Sequence, residues 1–419
     1  MSKIKIDYVF SGSNLLRLRP NLTDYTDEKY KEHRYNLITE CFEFIRTNLN
    51  SKLEYIDVSF NMLYNAFTEN HMGEFHVKQN YGFKKIYSDS GGLQIITQKK
   101  KMTDKIKSKI YESQNNYSDY AFCFDEIPVE SIDGGELDRN TTNSKVFNQN
   151  RLKETAEKTA RNIKEQLSVL DKPSIYYIIQ GNTYDDMLKW FNYGKEILGD
   201  DIEKLEGIAL AGICIGNGEL EIADMAYGAH LIFESEPRLK KKVHLLGVGT
   251  TKKILPTILL KKSGLLKDVE ISADSSTCSL VYMMGKDVSM DGKPTTLMDT
   301  YINFCTEMQP VLEKYCDGYD ALEFAKLIYD NNKSTGAIEK LCHDDVNHKY
   351  HNIGLVVCPC LNIWSIGKMF YGVERELNTN TPLTELLDVK NGDDYLLWRS
   401  KNFARIESNR LPRMRKRIF

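Results

Sequence analysis

The chain has 419 residues, with 56 Lys+Arg against 59 Asp+Glu and a formal net charge of −3. That length allows one large α/β domain with insertions or two ordinary domains. The near-neutral balance excludes a global field drawing the protein to a polyanion, so any nucleic-acid binding must come from a local patch. The longest apolar runs, such as Gly207 to Ile215 and Val243 to Val248, fall far short of the roughly 20 residues that cross a bilayer. The first residues, Met-Ser-Lys-Ile-Lys-Ile-Asp, carry no apolar signal core. These features predict an intracellular, cytoplasmic protein with no membrane partner. Its nine cysteines, an odd and scattered set, are expected as thiols unless some bind metal.

Residues 1–80 are rich in Tyr and Asn and do not read as regular barrel units; they are expected as a divergent N-terminal segment of the barrel. From there on, short apolar runs end in small or acidic residues: Ile86 to Asp89, Tyr120 to Asp125, Ile175 to Gln180, Ile208 to Ile215, Val243 to Val248 and Val269 to Asp274. Amphipathic segments such as Arg151 to Leu170 and Tyr184 to Leu198 separate most of them. The alternation predicts βα units and a parallel sheet. Both a doubly wound sheet and a (β/α)8 TIM barrel fit it. The barrel is favoured because polar residues recur at the ends of at least five strands, whereas a doubly wound sheet gathers them at one switch point. Residues 81–277 form the expected catalytic core of the barrel. Residues 278–350 read as an insertion with helical patterns, and 351–419 as a helical segment with a basic tail carrying Arg410, Arg413, Arg415, Lys416 and Arg417.

The sharpest chemical signal is Ser88-Asp89-Ser90-Gly91-Gly92-Leu93-Gln94. An Asp at a strand end beside glycines puts a carboxylate where backbone can approach a ligand closely. The motif resembles the signature of the queuine tRNA-guanine transglycosylase superfamily, and further matches follow in order. Phe124-Asp125-Glu126 is similar to the family's base-recognising segment and Ile179-Gln180-Gly181 to its Val-Gln-Gly strand. Ala211-Gly212-Ile213-Cys214-Ile215-Gly216 and Leu246-Gly247-Val248-Gly249 resemble its two glycine motifs, and Ala273-Asp274-Ser275 falls where the nucleophile is expected. The six motifs span residues 86 to 276, about half the chain.

The resemblance implies a ping-pong base exchange. Asp274 would be the nucleophile that captures the sugar as an ester, and Asp89 the proton acceptor and relay. Asp125 would bind the donor edge of guanine, with Ser90, Gln180, the Gly212 N–H and the Ile213 carbonyl completing the base site, and Leu93 and Leu246 flanking it. No cofactor is required for that chemistry. Three departures shape the reading. Leu93 and Leu246 replace the aromatic residue and the Met that sandwich the base in the tRNA enzymes. Ser275-Ser276-Thr277-Cys278 replaces Leu-Pro-Thr-Arg. The structural zinc motif is degenerate, leaving Cys316, Cys342, His351, Cys358 and Cys360 as candidate ligands. These departures make the chain similar to the DNA 7-deazaguanine transglycosylases of bacteria and phages. DNA is then the expected polynucleotide partner, with a free 7-deazaguanine base, such as 7-cyano-7-deazaguanine or a derivative, as co-substrate. A helper protein is possible in that family. The alternatives are a divergent tRNA enzyme and a non-catalytic partner subunit, and the latter predicts loss of carboxylates that this chain retains.

Overall fold

A computed structural model describes residues 3–11, 28–67, 83–91, 103–128, 149–211, 219–275, 296–335, 348–354 and 357–402. Its eight strands follow one another in chain order round a closed parallel barrel. They are β1 (Ile4–Ser11), β2 (Ile56–Asn65), β3 (Ile86–Asp89), β4 (Tyr120–Phe122), β5 (Ser174–Ile179), β6 (Gly207–Leu210), β7 (Lys242–Leu245) and β8 (Glu270–Ser275). Helices alternate with them: α1 (Glu28–Lys52), α2 (Asp104–Tyr117), α3 (Leu152–Val169), α4 (Tyr184–Leu198), α5 (Glu219–Ser235) and α6 (Thr251–Ser263). Then come α7 (Leu297–Leu312), α8 (Ala321–Thr335), α9 (His351–Gly354), α10 (Val357–Leu377) and α11 (392–402). The architecture is the (β/α)8 barrel that the alternation predicts.

Six strands coincide with the apolar runs of the sequence. The other two, β1 and β2, come from residues 1–80, the expected divergent segment of the barrel in which the sequence shows no regular units, and pair with each other in parallel from Ile4↔Ile56 to Ser11↔Leu63. In β1 the alternation Ile4, Ile6, Tyr8, Phe10 was present, but Lys5 and Asp7 between them gave the stretch a polar cast.

The chain forms two compact units. The first comprises residues 1–64, 71–86 and 275–374, and the second residues 65–70, 87–274 and 375–419. In the first, β1 is tied down by Lys85, which bonds Asp7 at 2.6 Å, and the rings of Tyr8, Phe10 and Phe60 pack edge to face. Glu307 of α7 gathers Lys52 at 2.7 Å, Trp364 at 3.0 Å and Asn48.

The second unit carries β4 to β7 and nearly all of β8. Its strands are apolar on both faces because helices cover the outside; β6 is buried at every residue. Helix α3 buries a stripe at three- and four-residue spacing: Leu152, Thr155, Ala156, Thr159, Ala160, Ile163 and Gln166. Helix α4 starts where the Thr183 hydroxyl accepts from Asp186 N and stops at Gly199. Asp224 of α5 is buried and receives Arg399 through two nitrogens at 2.8 Å and the Tyr395 hydroxyl at 2.7 Å, while Tyr395 stacks on Tyr227 at 3.9 Å. This clamp fastens α11 to the barrel's helical ring. Asp224→Ala leaves a guanidinium and a phenol without their acceptor, so urea denaturation should show a loss of about 2 to 4 kcal/mol. A loss under half a kcal/mol would mean that the clamp does not hold α11.

Candidate functional site

The site lies within the second unit, at the C-terminal ends of the strands, where barrels of this kind build their sites. Asp89 closes β3. Its carboxylate accepts from Asn65 Nδ2 at 3.1 Å and from the N–H groups of Ser90 and Gly91. Gly91 has φ +77°, and a Cβ there would stand 2.5 Å from the Phe67 Cβ, so only glycine fits and the motif's first glycine is explained by backbone. Asp89 keeps some surface open to solvent. Even so, burial of its carboxylate dominates and, with the charge of Asp274 nearby, pushes its pKa up to about 6. Next to it, the Ser90 hydroxyl is buried with no hydrogen-bond partner among the described residues.

Asp125 sits past the end of β4 in residues 123–128, a segment with no regular structure. The polar residues on the inner face of α3 hold that segment. Gln166 Oε1 accepts from Phe124 N at 2.8 Å, Thr159 Oγ1 from Glu126 N at 2.9 Å, and Asn162 Nδ2 donates to the Phe124 carbonyl at 3.0 Å. From below, the Cys123 sulfur accepts from Ile178 N at 3.2 Å. So anchored, Asp125 receives Gln180 Nε2 from the end of β5 at 2.7 Å. Both side chains are buried, and burial, aided by the charge of Asp89, lifts the Asp125 carboxyl to about 7 against the opposing hydrogen bond from Gln180.

Asp274 ends the run of inward residues on β8. Its Oδ1 lies 3.1 Å from His244 Nε2 and 3.1 Å from Gly247 N, and its own carbonyl accepts from Val248 N. His244 reaches it because β7 and β8 pair with His244 opposite Ser272, one inward position below Asp274. The half-buried Leu246 follows two residues after His244. Below, the rings of Tyr87, Phe122 and Tyr176 surround the imidazole at 5.6, 4.6 and 6.3 Å and make an aromatic floor.

Of the residues expected from the sequence, the structure thus brings Asp89, Ser90, Asp125, Gln180, Leu246 and Asp274 to one rim. Leu93, Gly212, Ile213 and the basic residues Arg410, Arg413, Arg415, Lys416 and Arg417 lie outside the described residues. The sequence reading missed Asn65, the Gly247 N–H and His244. The last had a signal: one His inside Val-His-Leu-Leu, in register with Ser-Ala-Asp on the next strand.

The zinc candidates lie in the first unit. Cys342 and the side chain of Cys358 are outside the described residues. The Cys316 thiol donates to the Lys349 carbonyl at 3.3 Å, and burial raises its pKa. Among the described residues no three His, Cys, Asp or Glu side chains converge as a metal site. Cys316, His351 and Cys360 therefore do not make up the expected set. Among the described residues, too, no helix is long and apolar enough to cross a membrane. No family model matches the chain, and neither does any curated protein. Fold and site define a (β/α)8 barrel with three clustered aspartates at its C-terminal rim.

Because the folded Asp125 pKa, about 7, lies above the ordinary carboxylate value, the protonated form is the one that the fold favours. Its contribution to stability is complete below about pH 4 and lost as pH rises through 7. Asp125→Asn escapes that loss, so its melting temperature should exceed the parent's at pH 8 and converge with it at pH 4. Equal melting at pH 8 would show that Asp125 is not buried as described.

Proposed function

We propose that the protein is a transglycosylase that exchanges guanine in DNA for a 7-deazaguanine base through a covalent ester on Asp274. The observation that carries the reading is the convergence at one rim of Asp274, Asp89 and the bonded pair Asp125–Gln180, the residues that the sequence resemblance assigns to nucleophile, proton relay and base recognition. Their chemistry fits. A glycosidic carbon losing guanine develops positive charge that an anchored carboxylate captures. A carboxyl with a pKa about 6 protonates the leaving N9 and later receives the proton of the incoming base. An ionised Asp125 accepts from the N1–H and amine of the base edge, and the partnerless Ser90 hydroxyl supplies a further polar contact.

DNA rather than tRNA is supported by the absence of the Leu-Pro-Thr-Arg continuation after the nucleophile. The five cations between Arg410 and Arg417 would serve as a local phosphate contact on a chain of net charge −3.

The deciding experiment is exchange of labelled guanine into DNA and tRNA. Incorporation into DNA, abolished in Asp274→Ala along with any protein–DNA adduct, is expected. Incorporation into tRNA alone would replace the DNA assignment by the tRNA one, and full activity of Asp274→Ala would remove the mechanism. Binding of the free base carries a second expectation. Asp125 must be ionised to accept from the base edge, so affinity by calorimetry should fall by up to about tenfold per pH unit below 7. Affinity flat from pH 5 to 8 would place the base elsewhere.

A further inference from the structure

His244 is fully buried on the inner face of β7. Its Nδ1 lies 2.9 Å from Ser272 Oγ and its Nε2 3.1 Å from Asp274 Oδ1. An ionised carboxylate can only accept, so Nε2 carries a proton, while Nδ1 bonds the Ser272 hydroxyl, which also stands 3.4 Å from the Val243 carbonyl. The series Ser-His-Asp has the composition of a hydrolytic triad but runs the opposite way. Ser272 stands two residues, about 7 Å of strand, below Asp274, on the side of the aromatic floor, so the group presented at the rim is the carboxylate and not the hydroxyl. Gly247 N–H donates to the same oxygen at 3.1 Å. Both donors converge on Oδ1, and Oδ2 has no hydrogen-bond partner among the described residues.

We propose that His244 is a positioning residue that divides the labour of the Asp274 oxygens, anchoring Oδ1 and presenting Oδ2 as the atom that bonds the sugar. The proposal rests on the transglycosylase reading. In the first half-reaction the Oδ2–C1′ bond forms as C1′–N9 breaks, and the electron pair leaves on guanine N9, which takes the Asp89 proton. In the second, the incoming base gives its N9 proton to Asp89 as N9–C1′ forms, and the pair of the breaking C1′–Oδ2 bond returns to the carboxylate. The hydrogen bond from Nε2 is stronger to a carboxylate than to an ester carbonyl. His244 therefore favours release of the ester and keeps it from accumulating.

This makes a signature that damage to packing would not give. His244→Phe, which keeps the volume and removes the donor, should lower turnover by about tenfold to a hundredfold while raising the fraction of protein held as DNA adduct on a denaturing gel. His244→Gln, whose amide can donate to Asp274, should restore part of both. Turnover and adduct falling together in both variants, or neither changing, would overturn the proposal. The hydrogen bond itself is read without turnover from imidazole 15N spectra, with the resonance assigned by its loss in His244→Gln. A fixed Nε2–H tautomer that disappears in Asp274→Ala is expected, and a tautomer indifferent to that substitution also overturns the proposal. A parent protein that exchanges no base in either polynucleotide removes the transglycosylase reading and this role with it. In that case the 15N result reports separately on the hydrogen bond.

Discussion

Two donors on one oxygen of Asp274 organise the rim. One comes from the His244 side chain inside β7 and the other from the Gly247 backbone just beyond it, so the carboxylate is located by a single strand and the turn that follows it. That arrangement needs β7 and β8 paired with His244 opposite Ser272. A slip of one residue would turn the imidazole outward into the helical layer and carry the Gly247 N–H about 3.3 Å along the strand, so that the aspartate would lose both donors. The parallel pairing, the inward His and the positive-φ glycine at 247 are thus parts of one constraint.

Charge is managed at the same rim by distributing it unequally. Asp274 accepts from two donors, Asp89 from three and Asp125 from Gln180, yet for Asp89 and Asp125 burial outweighs those bonds and a neighbouring aspartate adds to it. Asp89 and Asp125 gain their charge only as pH rises through about 6 and about 7, which eases repulsion within a small volume. The cost to the fold is the destabilisation of two buried acids above neutral pH, a pattern that marks working sites more often than structural ones.

Much of this was legible in the sequence, for identifiable reasons. Strands β3 to β8 announce themselves as apolar runs because helices cover them outside and side chains fill them inside, and Asp89, Asp125, Gln180 and Asp274 stand out as polar residues ending those runs. β1 was harder to see, since charged residues share its alternation, and with it went β2. His244 escaped notice because a histidine in an apolar run is ordinarily packed filler; only the register with Ser272 and Asp274, a non-local fact, gives it a role. The polar stripe of α3 was equally opaque. Thr159, Asn162 and Gln166 look like interruptions of an amphipathic helix until the irregular segment carrying Asp125 is seen to hang from them.

The clamp of Arg399 and Tyr395 on Asp224 also closes a long loop, since the two residues meet Asp224 from 175 and 171 positions away in the chain. The entropy lost in closing that loop precedes any gain from the bonds themselves, so α11 docks onto a helical ring that is already in place.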